Sequence, residues 1–129
     1  MMLNIQVIRS GLLLFNLRCR NLDFSLPDFV GNNLTSAFFT VLNTISETCI
    51  GASIKYIKLQ NFSFHFYNDV SVPNLLFVIT TQIDSDPEEI RLQLKKIASI
   101  FNENFSNNLC QFNGNLCTFQ NFQELLAEI

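Results

Sequence analysis

The chain has 129 residues, a net charge of −3 and only eight Lys and Arg. That length suits one domain, residues 1–129, with a core of its own, and the scattered basic residues form no stripe able to follow a phosphate backbone, so a nucleic-acid partner is not expected. Apolar residues make up 48%, with 14 Phe, and mean hydropathy is +0.23, which points to an aromatic-rich core with apolar surface left for a partner.

The apolar run Leu12-Leu13-Leu14-Phe15 is far short of the roughly 20 residues a membrane span needs, and no leader pattern precedes it. The chain is therefore expected to be cytoplasmic, without a transmembrane segment. Cys19, Cys49, Cys110 and Cys117 contain no CxxC pair. The single histidine, His65, completes no zinc set in a familiar spacing. Four reduced, mostly buried thiols are the expectation, with two disulfides as the alternative.

In chain order, Leu3, Ile5 and Val7 alternate with Asn4 and Gln6, a strand with one face turned inward. Ser10-Gly11 supplies a tight turn, and residues 12–17 run back as a second strand. Residues 21–26 read as a connector closed by Pro27 at a first helical position, with Asp28 in the first turn. A helix is expected over residues 27–48, burying Val30, Leu34, Ala37, Phe38, Val41, Leu42, Ile45 and Cys49 in one sector. Asn33, Ser36, Thr40, Asn43 and Glu47 fall opposite, and Gly51 ends the element.

Residues 53–59 form a third strand, and Gln60-Asn61 suits a two-residue hairpin. Phe62, Phe64 and Phe66 then alternate with Ser63, His65 and Tyr67, aromatic inward and mixed outward. Residues 68–74 are a loop. Residues 75–79 are apolar on both faces, which marks the centre of a sheet covered on both sides. Asp86 suits an N-cap, Pro87 the first helical position and Glu89 the third, an Asp variant of the capping box. The helix it opens buries Ile90, Leu94, Ile97, Phe101 and Phe105. A polar connector over 107–115 leads to a short last helix, with Phe122, Leu125, Leu126 and Ile129 inward.

The hairpin Ile5-Gln6-Val7-Ile8-Arg9-Ser10-Gly11-Leu12, the strand Ile54-Lys55-Tyr56-Ile57, and residues 75–80 leading into Asp86-Pro87-Glu88-Glu89 carry an element order of β-β-α-β-β-β-α-α. With Phe112-Asn113-Gly114 and residues 119–126, that order resembles the longin-like domain family, in particular the short single-domain longin-like proteins of archaea that also carry eukaryote-like small GTPases. The resemblance covers essentially the whole chain. It implies an α+β, profilin-like fold: a five-stranded antiparallel sheet, first and fifth strands central, third strand at an edge, one helix on one face and two on the other. It also implies a non-enzymatic interaction module of a small-GTPase or vesicle-trafficking system, acting as a homodimer or as a subunit binding a GTPase or its regulator. Such modules dimerise, contact GTPases, or hold a peptide between the first helix and the third strand. No heptad run follows residue 106, so a fusogenic coiled coil is not implied.

Residue chemistry agrees with a non-enzyme. His65 has no neighbouring nucleophile and alternates with core Phe, which suits a surface or half-buried structural histidine. Asp84, Asp86, Glu88 and Glu89 are absorbed by capping and by the helix dipole rather than by a cation. No nucleophile–base set or phosphate loop can be assembled, so no catalytic residue, cofactor or metal is expected. Two apolar residues fall off their stripes: Phe39, about 120° from the stripe centre at ~100° per residue, and Leu92, nearly opposite Ile90 and Leu94. The expected partner or dimer surface is Phe38, Phe39, Leu42, Ile54, Tyr56 and Ile57, with Lys55 and Lys58 guarding the edge strand. Two rival readings stand beside this one. A roadblock-type dimeric GTPase regulator would begin with a helix, where residues 1–8 alternate like a strand. A PAS- or profilin-like small-molecule sensor would need a pocket in the Phe-rich interior.

Overall fold

A computed structural model describes residues 2–18, 32–110 and 122, with the side chains of 106–110 outside that description. The expectations for residues 19–31, for the last helix apart from Phe122, and for Cys19, Cys117 and the Cys110 side chain lie outside the described residues. The elements are β1 (Met2–Arg9), β2 (Leu12–Arg18), α1 (Asn33–Ile45) continued by a π turn (Ser46–Ile50), β3 (Tyr56–Lys58), β4 (Phe62–Asn68), β5 (Leu75–Gln82) and α2 (Pro87–Cys110).

The strands form one sheet in the order β2-β1-β5-β4-β3, and every pairing is antiparallel. Ser10 and Gly11 join β1 to β2 with φ of 51° and 87°. Positive φ at both central residues is the primed-turn geometry that matches the twist of a hairpin. Three residues separate β3 from β4, and the Leu59 amide donates to the Phe62 carbonyl at 2.7 Å around Gln60-Asn61. The expected third strand over 53–59 is shorter than its pattern suggested, three residues at the sheet edge. β5 is the middle strand, and its residues from Leu75 to Thr81 are all buried, as its two-faced apolarity requires.

α2 covers one face. Asp86 Oδ1 accepts from the Glu88 amide at 3.1 Å, so the Asp half of the cap forms as its sequence suggests. Ile90, Leu94, Ile97, Phe101 and Phe105 are all buried, while Leu92 is 61% exposed. They lock onto Ile5, Val7, Leu75, Phe77 and Ile79, with Phe15 and Phe122 closing the cluster. The rings of Phe15, Phe101 and Phe105 stand edge-on to Phe122 at 5.1, 5.1 and 5.8 Å, which fills this layer with aromatic contacts. The helix runs to Cys110, into the stretch read as a polar connector. Asn107 and Asn108 are weak helix formers, and neither stops a helix as Gly or Pro does.

α1 lies on the other face and corrects two expectations. It begins at Asn33, not at residue 27, because Asn32 is extended and its Oδ1 accepts from the Thr35 amide at 3.0 Å, a side-chain cap. Its orientation is also reversed. Phe39, expected outside, is 1% exposed, whereas Leu34, Phe38, Val41 and Ile45, expected in the core, are 50–75% exposed. Cys49, expected to be buried, is exposed as well. Gly51, at φ 81°, closes the π turn as the sequence suggests.

Candidate interaction surface

The reversal of α1 follows from what β1 shows it. Asn4 and Gln6 alternate with the residues under α2, so they point to the α1 face, and neither has any exposed surface. β1 is internal to the sheet and covered on both sides. Thr80, opposite Asn4 on β5, is equally buried. An amide buried against a Leu/Phe/Val/Ile stripe would lose its hydrogen bonds at about 1–3 kcal/mol each. α1 instead turns its polar side inward. Gln6 Nε2 donates to Ser36 Oγ at 3.1 Å, and Ser36 passes its own proton to the Asn32 carbonyl. Asn4 Nδ2 donates to Asn16 Oδ1 at 2.9 Å. Farther along, Asn43 and Asn68 exchange two amide bonds of 2.8 and 3.1 Å. The one large apolar anchor in the seat is Phe39, whose ring packs at 4.9 and 5.4 Å from Phe64 and Phe66.

On the ~100° wheel, Leu34, Phe38, Val41 and Ile45 then fall within about 60° of one another, on the side of the helix turned away from Phe39 and Ser36. They form a continuous apolar stripe that no other described residue covers. No charged residue interrupts positions 32–46.

The six residues expected to form the contact surface are divided by the fold. Phe38 lies on this stripe, and Leu42 flanks it half-buried. Phe39 is the buried plug and offers no surface. Ile54 and Ile57 pack half-buried against the cluster beneath α1. Tyr56 is 46% exposed on the opposite face, its ring 5.7 Å from that of His65. Leu34, Val41 and Ile45 were missed, because an apolar stripe on a helix ordinarily marks the core side. Their spacing of four, three and four does not separate the two cases, since Ile90, Leu94, Ile97 and Phe101 of α2 share it and pack on the sheet.

His65 is buried under α2, not at the surface, because α2 covers β4 as well as β5. Its Nε2 lies 3.0 Å from Thr81 Oγ1, and that hydroxyl donates to the Gln82 carbonyl. With the hydroxyl proton directed at that carbonyl, the histidine donates from Nε2–H. Burial holds its pKa below the ordinary 6.5.

The acidic side chains near α2 likewise build no site. Among the described residues no group of three His, Cys, Asp or Glu converges on a common point. Asp69 spends its carboxylate on the Ser71 and Val72 amides, the Ser71 hydroxyl and the Asn102 amide. Beside the π turn lies an open cleft of about 400 Å³, lined by Thr40, Asn43, Thr44, Glu47, Asn68 and Asp69 among others. Among the described residues no helix is long and apolar enough to cross a membrane. Comparison with known proteins finds no family model and no curated protein that matches the chain.

Proposed function

We propose that this chain is a non-enzymatic protein-interaction module of a small-GTPase or vesicle-trafficking type of system, acting as a homodimer or as a subunit that binds a GTPase or its regulator. One observation carries the reading: α1 keeps an apolar stripe that no other described residue covers. Fully burying a Leu, Ile, Val or Phe side chain is worth about 1.5–3 kcal/mol, so four half-to-three-quarters-exposed side chains forgo more than the amides beneath α1 gain. A covering partner restores that loss. The longin-like part of the reading is supported by the element order and by the β2-β1-β5-β4-β3 sheet with helices on both faces.

Binding is checked by titrating the chain with purified small GTPases from its own organism, each loaded with GDP or with a non-hydrolysable GTP analogue. Saturable binding that depends on the nucleotide is expected for at least one. Failure of every GTPase in both states would overturn the GTPase reading.

The sensor reading keeps a single observation, the 400 Å³ cleft, which is large enough for a small ligand. That cleft is polar and open and lies outside the Phe-rich interior, where the rings pack against one another.

A further inference from the structure

Resting on the reading of the chain as an interaction module, we infer that the outer stripe of α1 receives the α1 of a second copy of this chain, antiparallel about a two-fold axis. Three features of the stripe choose a second copy over other occupants. The first is its pattern. Leu34, Phe38, Val41 and Ile45 occupy the two-in-seven positions of a helix seam, a comb that a second helix bearing the same comb can enter.

The second is its symmetry. The spacing of four, three and four reads identically in both directions. An antiparallel copy therefore sets Leu34 opposite Ile45 and Phe38 opposite Val41 of its mate, and each knob meets an apolar neighbour along the whole overlap. A two-fold interface presents one patch to itself and needs this self-complementarity.

The third is charge. Residues 32–46 carry none. Any charge on a patch at a two-fold axis faces its own copy, and here nothing repels. A charged partner helix would find no complement on α1, since Glu47 belongs to the π turn and lines the polar cleft instead.

The size is adequate for a modest dimer. With exposures of 75, 57, 54 and 50%, the four side chains offer on the order of 400–500 Å² of apolar surface, within the range of a functional patch. A standard interface takes roughly 800 Å² from each partner. The exposed Ala37, Thr44 and Ile50 beside the stripe supply further surface. A dimer formed this way leaves the β3 edge uncovered for the GTPase or regulator.

Sedimentation equilibrium on the full chain tests the inference. The wild type is expected to show a mass rising with concentration toward twice 14.8 kDa. Phe38→Glu and Val41→Glu, made separately, are expected to weaken association at least tenfold with unchanged far-UV circular dichroism. Tyr56→Glu, on the other face of the sheet, is expected to dimerise as the wild type does. Two results would overturn it: a wild type that stays monomeric to about 100 µM, or a dimer that survives both stripe variants. A monomer that still binds a GTPase sinks the dimer and spares the module.

Orientation is read by oxidative crosslinking in a background with Cys19, Cys49, Cys110 and Cys117 all replaced by Ser. Leu34→Cys/Ile45→Cys is expected to form intermolecular disulfides and Leu34→Cys alone is not. Efficient crosslinking by the single variant would contradict the antiparallel arrangement.

Discussion

Among the described residues, the layer between α2 and the sheet holds fourteen buried side chains of one interlocked cluster; the layer between α1 and the sheet holds six, together with buried Asn4, Gln6, Ser36 and Thr80. The first layer is apolar and dense. The second is held by amides, hydroxyls and one aromatic plug, and several of its oxygens, among them Asn4 Oδ1, Gln6 Oε1 and Thr80 Oγ1, find no partner. The difference separates two tasks. The α2 face supplies the stability of the sheet, and the α1 face positions a helix whose apolar residues are left for another molecule.

The comparison can be broken most strongly at its two aromatic anchors. Phe101→Ala removes a ring packed on Phe77, Phe105 and Phe122 and is expected to cost about 4 kcal/mol, seen as global loss of stability in denaturant unfolding. Phe39→Ala is expected to cost about 3 kcal/mol, and the loss should be local. Hydrogen exchange should quicken along α1 while β1 and β5 amides keep their protection. Equal loss of protection across the sheet would show that α1 is as integral as α2.

The polar seat is sharpened by a smaller effect. Ser36→Ala leaves the Gln6 amide buried without its acceptor and is expected to cost about 1–2 kcal/mol. Adding Gln6→Met should recover part of that loss, because an apolar pair replaces a half-satisfied one. Strict additivity of the two changes in a double-mutant cycle would show that the 3.1 Å bond does not couple them.

The smallest effect separates His65, on the α2 face, by pH. Its folded pKa is depressed by burial below 6.5, so the unfolded chain takes up a proton that the folded chain resists. Stability is therefore unaffected by this group above about pH 7 and falls as pH drops below 6.5. His65→Gln should flatten that part of the wild-type profile, measured as the difference between the two unfolding curves across pH 5–7.

Much of this architecture is legible in sequence. The Ser10-Gly11 hairpin, the two-faced strand β5 and the Asp86-Pro87 start of α2 are each set by neighbours within a few positions, and each stands where its local pattern puts it. α1 is different. Its wheel shows a stripe, and a wheel alone cannot say which side the sheet will take. That choice depends on Gln6 meeting Ser36 thirty residues away, which no local window contains. The same limit hid His65, whose alternation with Phe is plain while the helix that covers it lies more than twenty residues downstream. Of the surface residues, Phe38 was found because it adjoins Phe39, and Leu34, Val41 and Ile45 were hidden by the rule that sends apolar stripes inward.

The central claim is that the α1 stripe faces out of the fold, and the thermal or denaturant stability of Phe38→Asp tests it most directly. Measured at high dilution, where association contributes nothing, the variant is expected to lie within about 0.5 kcal/mol of wild type, as an exposed site does. A loss of about 3 kcal/mol, matching Phe39→Ala, would place Phe38 inside the core and contradict the account.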